Sequence, residues 1–184
     1  MPDAPAPPKI RLAIGVTGHR AGHPSFKANA DRIAAAIAEI FDCADRAVLE
    51  APLLLGPDSL APVRLHTLIV DGTDQTAAEM ALTRNWELIS PLPFGARLNA
   101  AINALPTTGA DARALLSGDV AGDPAVQARA EAIMALTEKA RTLELTDQDP
   151  TITKLYLDKL DAPVDFAKAQ AFAVESAKRA ALSG

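Results

Sequence analysis

The run best equipped for chemistry is Gly15, Val16, Thr17, Gly18, His19 and Arg20. Glycines let a backbone come close to a phosphate, and a helix beyond the turn offers a partly positive N-terminus. Arg20 adds a planar cation that suits phosphate or carboxylate. A tight turn after a strand, with the arginine in a surface ion pair, accounts for the same residues equally well. A second cluster, Asp71, Gly72, Thr73, Asp74 and Glu79, joins carboxylates to another glycine turn. Its plainer reading is a helix start, with Thr73 as N-cap, Thr76 and Glu79 as a capping box, and Asp74 on the positive end of the dipole. Pro91, Pro93, Phe94 and Gly95 carry no acid, base or nucleophile and could only wall a cleft.

Other reactive residues have little company. His19 and His23 lack a third ligand nearby, and Gly22 and Pro24 break the helix that would align them, so no metal site is expected. His66 falls in a strand and reads as half-buried structure. Cys43 is the only cysteine, so no intrachain disulfide forms, and beside Ile40 and Phe41 it is expected to be a buried, inert thiol. The Gly-x-Ser-x-Gly elbow, the Walker pattern and the Gly-x-Gly-x-x-Gly fingerprint are all missing. With no complete catalytic set, the expectation leans away from an enzyme.

The elements that must position these residues are legible in outline. Ile10 to Val16 is nearly continuous and apolar, as a parallel strand buried on both faces should be. A helix over 27–48 follows, with Ile33, Ile37, Ile40, Phe41, Ala44 and Val48 at spacings of three and four. Pro52, Gly56, Pro57 and Pro62 then break the chain. Strands are predicted at 63–70 and 86–92 around a helix over 73–85. Short helices over 95–105 and 111–116 come next. Asp123 and Pro124 open a helix to about residue 142 that buries Val126, Ala130, Ile133, Leu136 and Ala140. Residues 142–146 suit a short edge strand, and a last helix over 162–181 carries Phe166, Ala169, Ala173 and Ala177 on one side. Alternating strands and helices imply right-handed crossovers and a parallel sheet. Its strand ends would bring Gly18 to Arg20 beside Gly72 to Asp74, on the edge where such sheets bind ligands.

With 184 residues, the chain is long enough for one well-buried domain, expected over 9–184 after a disordered, proline-rich lead-in over 1–8. A net charge of −5 argues against a sequence-independent nucleic-acid binder, whose affinity rests on lysine and arginine. The proline-rich start has no apolar core for a signal peptide, and no apolar run approaches membrane-spanning length. A cytoplasmic protein away from membranes is expected.

Taken together, three segments resemble the SLOG superfamily of Rossmann-like domains, named for the Smf/DNA-processing proteins and the Lonely-guy phosphoribohydrolases. They are Val16 to Arg20, Asp71 to Leu82, and Trp86 to Phe94. The pattern is similar to a bacterial branch with T-G-H-R after a strand, a D/E-G-A-D-x-x-A-A-E-x-A-L helix, then G-W-E-L and L-P-F. Thr73 replaces the usual small residue and Asn85 the usual glycine. The resemblance covers about residues 10–105 and implies a three-layer αβα parallel sheet. It also implies a nucleotide or nucleotide-derived ligand lined by Gly18, His19, Arg20, Gly72, Thr73, Asp74 and Glu79, with no cofactor required. The enzyme branch carries a proline-glycine-glycine, glycine-threonine, glutamate motif after a later strand, which nothing here matches. The family also continues into a fourth strand, so the domain reads as incomplete at its C-terminus. An uncovered edge beside the first strand would favour a homo-oligomer.

Three readings follow. The first is a sensor or regulatory module that binds a nucleotide-type ligand. The second is a Lonely-guy-like nucleoside monophosphate phosphoribohydrolase, with Glu79 or Asp74 as the catalytic carboxylate stabilising an oxocarbenium-like transition state. The third is a truncated structural module without ligand. Single-stranded DNA binding, by analogy with the DNA-processing branch, ranks last because of the acidic charge.

Overall fold

A computed structural model describes residues 9–55, 61–144, 146 and 148–161. In chain order the elements are β1 (Ala13–Gly15), α1 (Pro24–Leu55), β2 (Arg64–His66), α2 (Thr73–Thr83) and β3 (Glu87–Leu92). They continue as α3 (Ala96–Asn103), α4 (Gly109–Ser117), α5 (Pro124–Lys139), β4 (Arg141–Glu144) and α6 (Pro150–Asp161). The four strands form one parallel sheet in the order β1-β2-β3-β4. Each crossover steps the same way, and α1, α2 and α5 pack together on the face that presents Ile14, Leu65 and Leu88. That core closes around Phe41, whose ring lies 4.4 Å from that of Trp86.

The opposite face carries Ala13, Arg64, His66, Glu87, Ile89, Arg141 and Leu143, as the strand register dictates. Among the described residues no helix packs there, and its hollow is lined by strand residues alone. The described residues thus make two of the three expected layers. The helix expected over 162–181 and the lead-in over 1–8 lie outside them.

Several expectations need correction. β1 is not buried on both faces: it forms the sheet's outer edge, with Ala13 and Gly15 exposed. The short edge strand expected over 142–146 is β4, which pairs parallel with β3 from Ile89–Arg141 to Leu92–Glu144, so the sheet does have a fourth strand. The first helix runs well past residue 48 and through Pro52. Proline gives up one hydrogen bond there, close enough to the helix end for the last turn to persist. Ile40 and Cys43 are exposed, not core. Hydrogen bonds from Arg84 to Asp42 and from the Trp86 indole to Asp45 fix the helix rotation. That rotation turns Ile37, Phe41, Ala44 and Val48 inward and leaves Cys43 facing out.

α5 matches its sequence signature. The Asp123 carboxylate accepts from the N–H groups of Ala125 and Val126, Pro124 occupies the first turn, and Val126, Ala130, Ile133 and Leu136 are buried. α6 repeats the device: Asp149 accepts from Thr151 and Ile152 ahead of the helix that begins at Pro150. It packs Ile152, Tyr156 and Leu157 onto Leu98, Ala101 and Leu116.

Candidate functional site at the strand ends

The carboxyl ends of β1, β2 and β3 open into a cleft of about 390 Å³. Gly15, Val16 and Thr17 form one wall, His66, Thr67 and Leu68 another, and Pro91 closes it. Leu68 separates it from a neighbouring hollow of about 180 Å³ that holds Arg20, Phe94, Asn99 and Asn103. Arg20 is exposed and makes no ion pair among the described residues. The Asn99 amide donates to the Leu68 carbonyl, and the Asn103 amide donates to Asn99. Asn103 is buried, and its Oδ1 has no partner among the described residues.

The two glycine turns do meet, and they meet tightly. Thr73 donates through both its N–H and its hydroxyl to the His19 carbonyl. Gly72 sits at φ +94°, and a Cβ there would come within 2.5 Å of the Ala21 nitrogen and the His19 oxygen. A side chain on Gly18 would run into Thr73 at 2.6 Å. Both glycines therefore serve the packing of one turn on the other. Gly72 is also the N-cap of α2, with no side-chain cap, so Thr73 is not the cap and the Thr76–Glu79 capping box does not form. The Thr76 hydroxyl donates back to the Gly72 carbonyl instead.

Asp74 is 4 % exposed and knits this junction. Its Oδ2 accepts from the Thr67 hydroxyl at 2.9 Å and from the Leu68 N–H at 3.3 Å, and the Gly18 backbone adds a third bond. Burial pushes its pKa up, against the pull of those three bonds. Asp71 is buried beside it, with Oδ1 unpartnered among the described residues. Glu79 stands apart: it is exposed on α2 and accepts from Gln75 one turn earlier. The carboxylates proposed for hydrolysis are thus one locked into a loop junction and one facing away.

His19 and His23 stack with ring centroids 3.9 Å apart and 3° between planes. His23 also works locally, since its Nδ1 accepts from the Ser25 N–H and so caps α1 ahead of Pro24. No cluster of three or more metal-ligating side chains exists among the described residues. A further hollow of about 230 Å³ opens between α3, α4 and α5, away from the strand ends and from every residue of the two turns.

Sequence reasoning missed Thr67, Asn99 and Asn103. Thr67 lay inside an apolar strand run, and the two asparagines are one helical turn apart on α3, a spacing that had no chemistry attached to it. No protein-family model, curated protein or solved structure matches the chain.

Proposed function

We propose that this chain is a SLOG-like module that binds a nucleotide or nucleotide-derived ligand as a sensor or regulatory domain. The ligand would lie across the strand-end cleft and the adjoining hollow. One observation carries the reading: three parallel strands end together at an open cleft, with an exposed arginine, in no ion pair among the described residues, in the hollow beside it. Ligands of open α/β sheets bind at this edge. Arg20 supplies the cation for a phosphate, Phe94 offers a ring face, and Asn99 and Asn103 carry amides. Gly18, His19, Gly72, Thr73 and Asp74 hold the loop that presents Arg20, which is a positioning role.

The phosphoribohydrolase alternative needs a carboxylate in the cleft, and Asp74 and Glu79 support it poorly from where they stand. A thermal-shift panel with AMP, NAD, ADP-ribose and cyclic dinucleotides tests the binding reading on wild type and Arg20→Ala. Ligand at a hundred times its dissociation constant adds ~2.7 kcal/mol, which raises Tm by roughly 5–10 °C in a domain of this size. A shift lost in Arg20→Ala is the expected result. A flat panel on folded protein would leave the structural-module reading.

A further inference from the structure

We infer that β1 is the seam of a homodimer, in which two copies pair β1 to β1 antiparallel about a two-fold axis near Ala13. Ile10 is 51 % and Leu12 37 % exposed, although their strand has the apolar run of a sheet interior. The bonds to β2 use alternate residues: Arg64 donates to the Leu12 carbonyl and Val16 donates to the His66 carbonyl. In a parallel ladder this leaves the N–H and C=O groups of Arg11, Ala13 and Gly15 directed outward, towards an edge that no described strand covers. An edge of that kind is a template for another strand.

The occupant that fits is a second copy. An antiparallel register that pairs all three outward residues places Ala13 opposite Ala13 and Arg11 opposite Gly15. The same register sets Leu12 against Ile14 and Ile10 against Val16, apolar pairs that cover the exposed side chains. Each Arg11 lies opposite Gly15 of the other copy, not opposite its mate, and pairs with its own Glu87, a carboxylate that Arg64 shares.

The neighbouring helix agrees. Asp42 and Asp45 face α2, where they meet Arg84 and Trp86. At 100° per residue, the flank turned away from α2 and past β1 carries Asn29, Ile33, Ala36, Ile40 and Ala47. Ile40 is 58 % exposed there, and none of the five is ionisable. Two copies that each carry a net charge of −5 repel one another over most of their surface. They can approach where this flank of α1 is uncharged and, Asn29 aside, apolar. Such a dimer would run an eight-stranded sheet through both subunits, with the two α1 helices side by side. It would also bring Lys9 of each copy towards Thr17 of the other, at the rim of the strand-end cleft.

The test is sedimentation equilibrium of the full chain across a concentration series, combined with hydrogen exchange at the Ala13 and Gly15 amides. Expected are twice the chain mass and slow exchange at both amides that becomes fast on dilution. Ala13→Pro removes an outward N–H without touching a bond to β2, and should return the chain to monomer mass. Ile40→Glu, on the helix flank, keeps the test usable if the proline variant does not fold, and should weaken association at least about tenfold. A monomer at every concentration would overturn the inference, whether its edge amides exchange fast or are protected by another part of the chain. So would a dimer that neither substitution weakens. Ligand binding in a strictly monomeric protein would refute the seam and leave the proposed function standing.

Discussion

Asp74, where β2 runs into α2, and Asp111, in the first turn of α4, are built alike and titrate in opposite directions. Each is buried, each accepts from a threonine hydroxyl, and each gathers backbone N–H groups from loop residues. Asp111 takes the Thr108 hydroxyl at 2.7 Å on one oxygen and the Gly122 and Asp123 N–H groups at 2.6 and 3.2 Å on the other. Those bonds, the Thr108 one above all, outweigh burial and hold its pKa below the ordinary value. At Asp74 burial is the largest influence, and it outweighs the Thr67 and Leu68 bonds on Oδ2. The contrast teaches that an aspartate beside a glycine turn can be an organiser of loops whichever way its pKa moves. A raised carboxylate near a cleft is thus not by itself a catalyst.

The largest expected effect comes from removing that organiser. Asp74→Ala strands the Thr67 hydroxyl and the N–H groups of Leu68 and Gly18. It should cost about 2–4 kcal/mol, read as a Tm drop of roughly 5–15 °C in a circular-dichroism melt. Unchanged stability would break the comparison and return Asp74 to the list of ligand-facing groups. Gly72→Ala comes next, at about 1–3 kcal/mol, because φ +94° and the His19–Ala21 backbone both oppose a Cβ. Thr67→Val should cost about 1 kcal/mol and push the Asp74 pKa higher still, since it removes a bond that lowers it. NMR titration of the Asp74 carboxyl carbon reads that second effect.

The smallest effects lie in the pH dependence of the urea midpoint, and their signs differ. Asp111, depressed in the folded state, contributes stability above the ordinary Asp pKa that is lost as pH falls through its folded value. Asp74, raised, keeps its proton in the folded state after the unfolded chain has released it. Its contribution therefore declines as pH climbs from the ordinary value to the raised one. Asp111→Asn should flatten the acid limb, and Asp74→Asn should remove the decline above it. Two variants that bend the curve in the same direction would end the contrast.

The sequence made local features plain where one residue carries one consequence. The Asp123–Pro124 helix start and the buried row of α5 are examples, and so is the meeting of the two glycine turns at neighbouring strand ends. Asp149 and Pro150 carried the same start signal for α6, and the apolar spacing of Ile152, Tyr156 and Leu157 supported it, although no helix was expected there. What stayed hidden depends on contacts between distant elements. Ile40, Phe41, Cys43 and Ala44 allow more than one inward face, and only the pairing of Asp42 and Asp45 with Arg84 and Trp86 selects it. The apolar run from Ile10 to Val16 specifies a strand, whereas its place at the edge follows from crossovers that all step one way. At the site, Arg20 and the glycines could be read from sequence. That Gly72 is sealed by His19 to Ala21, and that Asp74 is spent on Thr67 and Leu68, could not.

The most direct test of the central claim is an amide NMR titration of the full chain with the nucleotide that gives the largest thermal shift, or with AMP if none does. Saturable shifts concentrated at Gly15 to Thr17, at His66 to Leu68 and at the Arg20 side chain, with α5 unmoved, are the predicted result. No saturable shift, or shifts confined to the hollow between α3, α4 and α5, would contradict a nucleotide-type site at the strand ends.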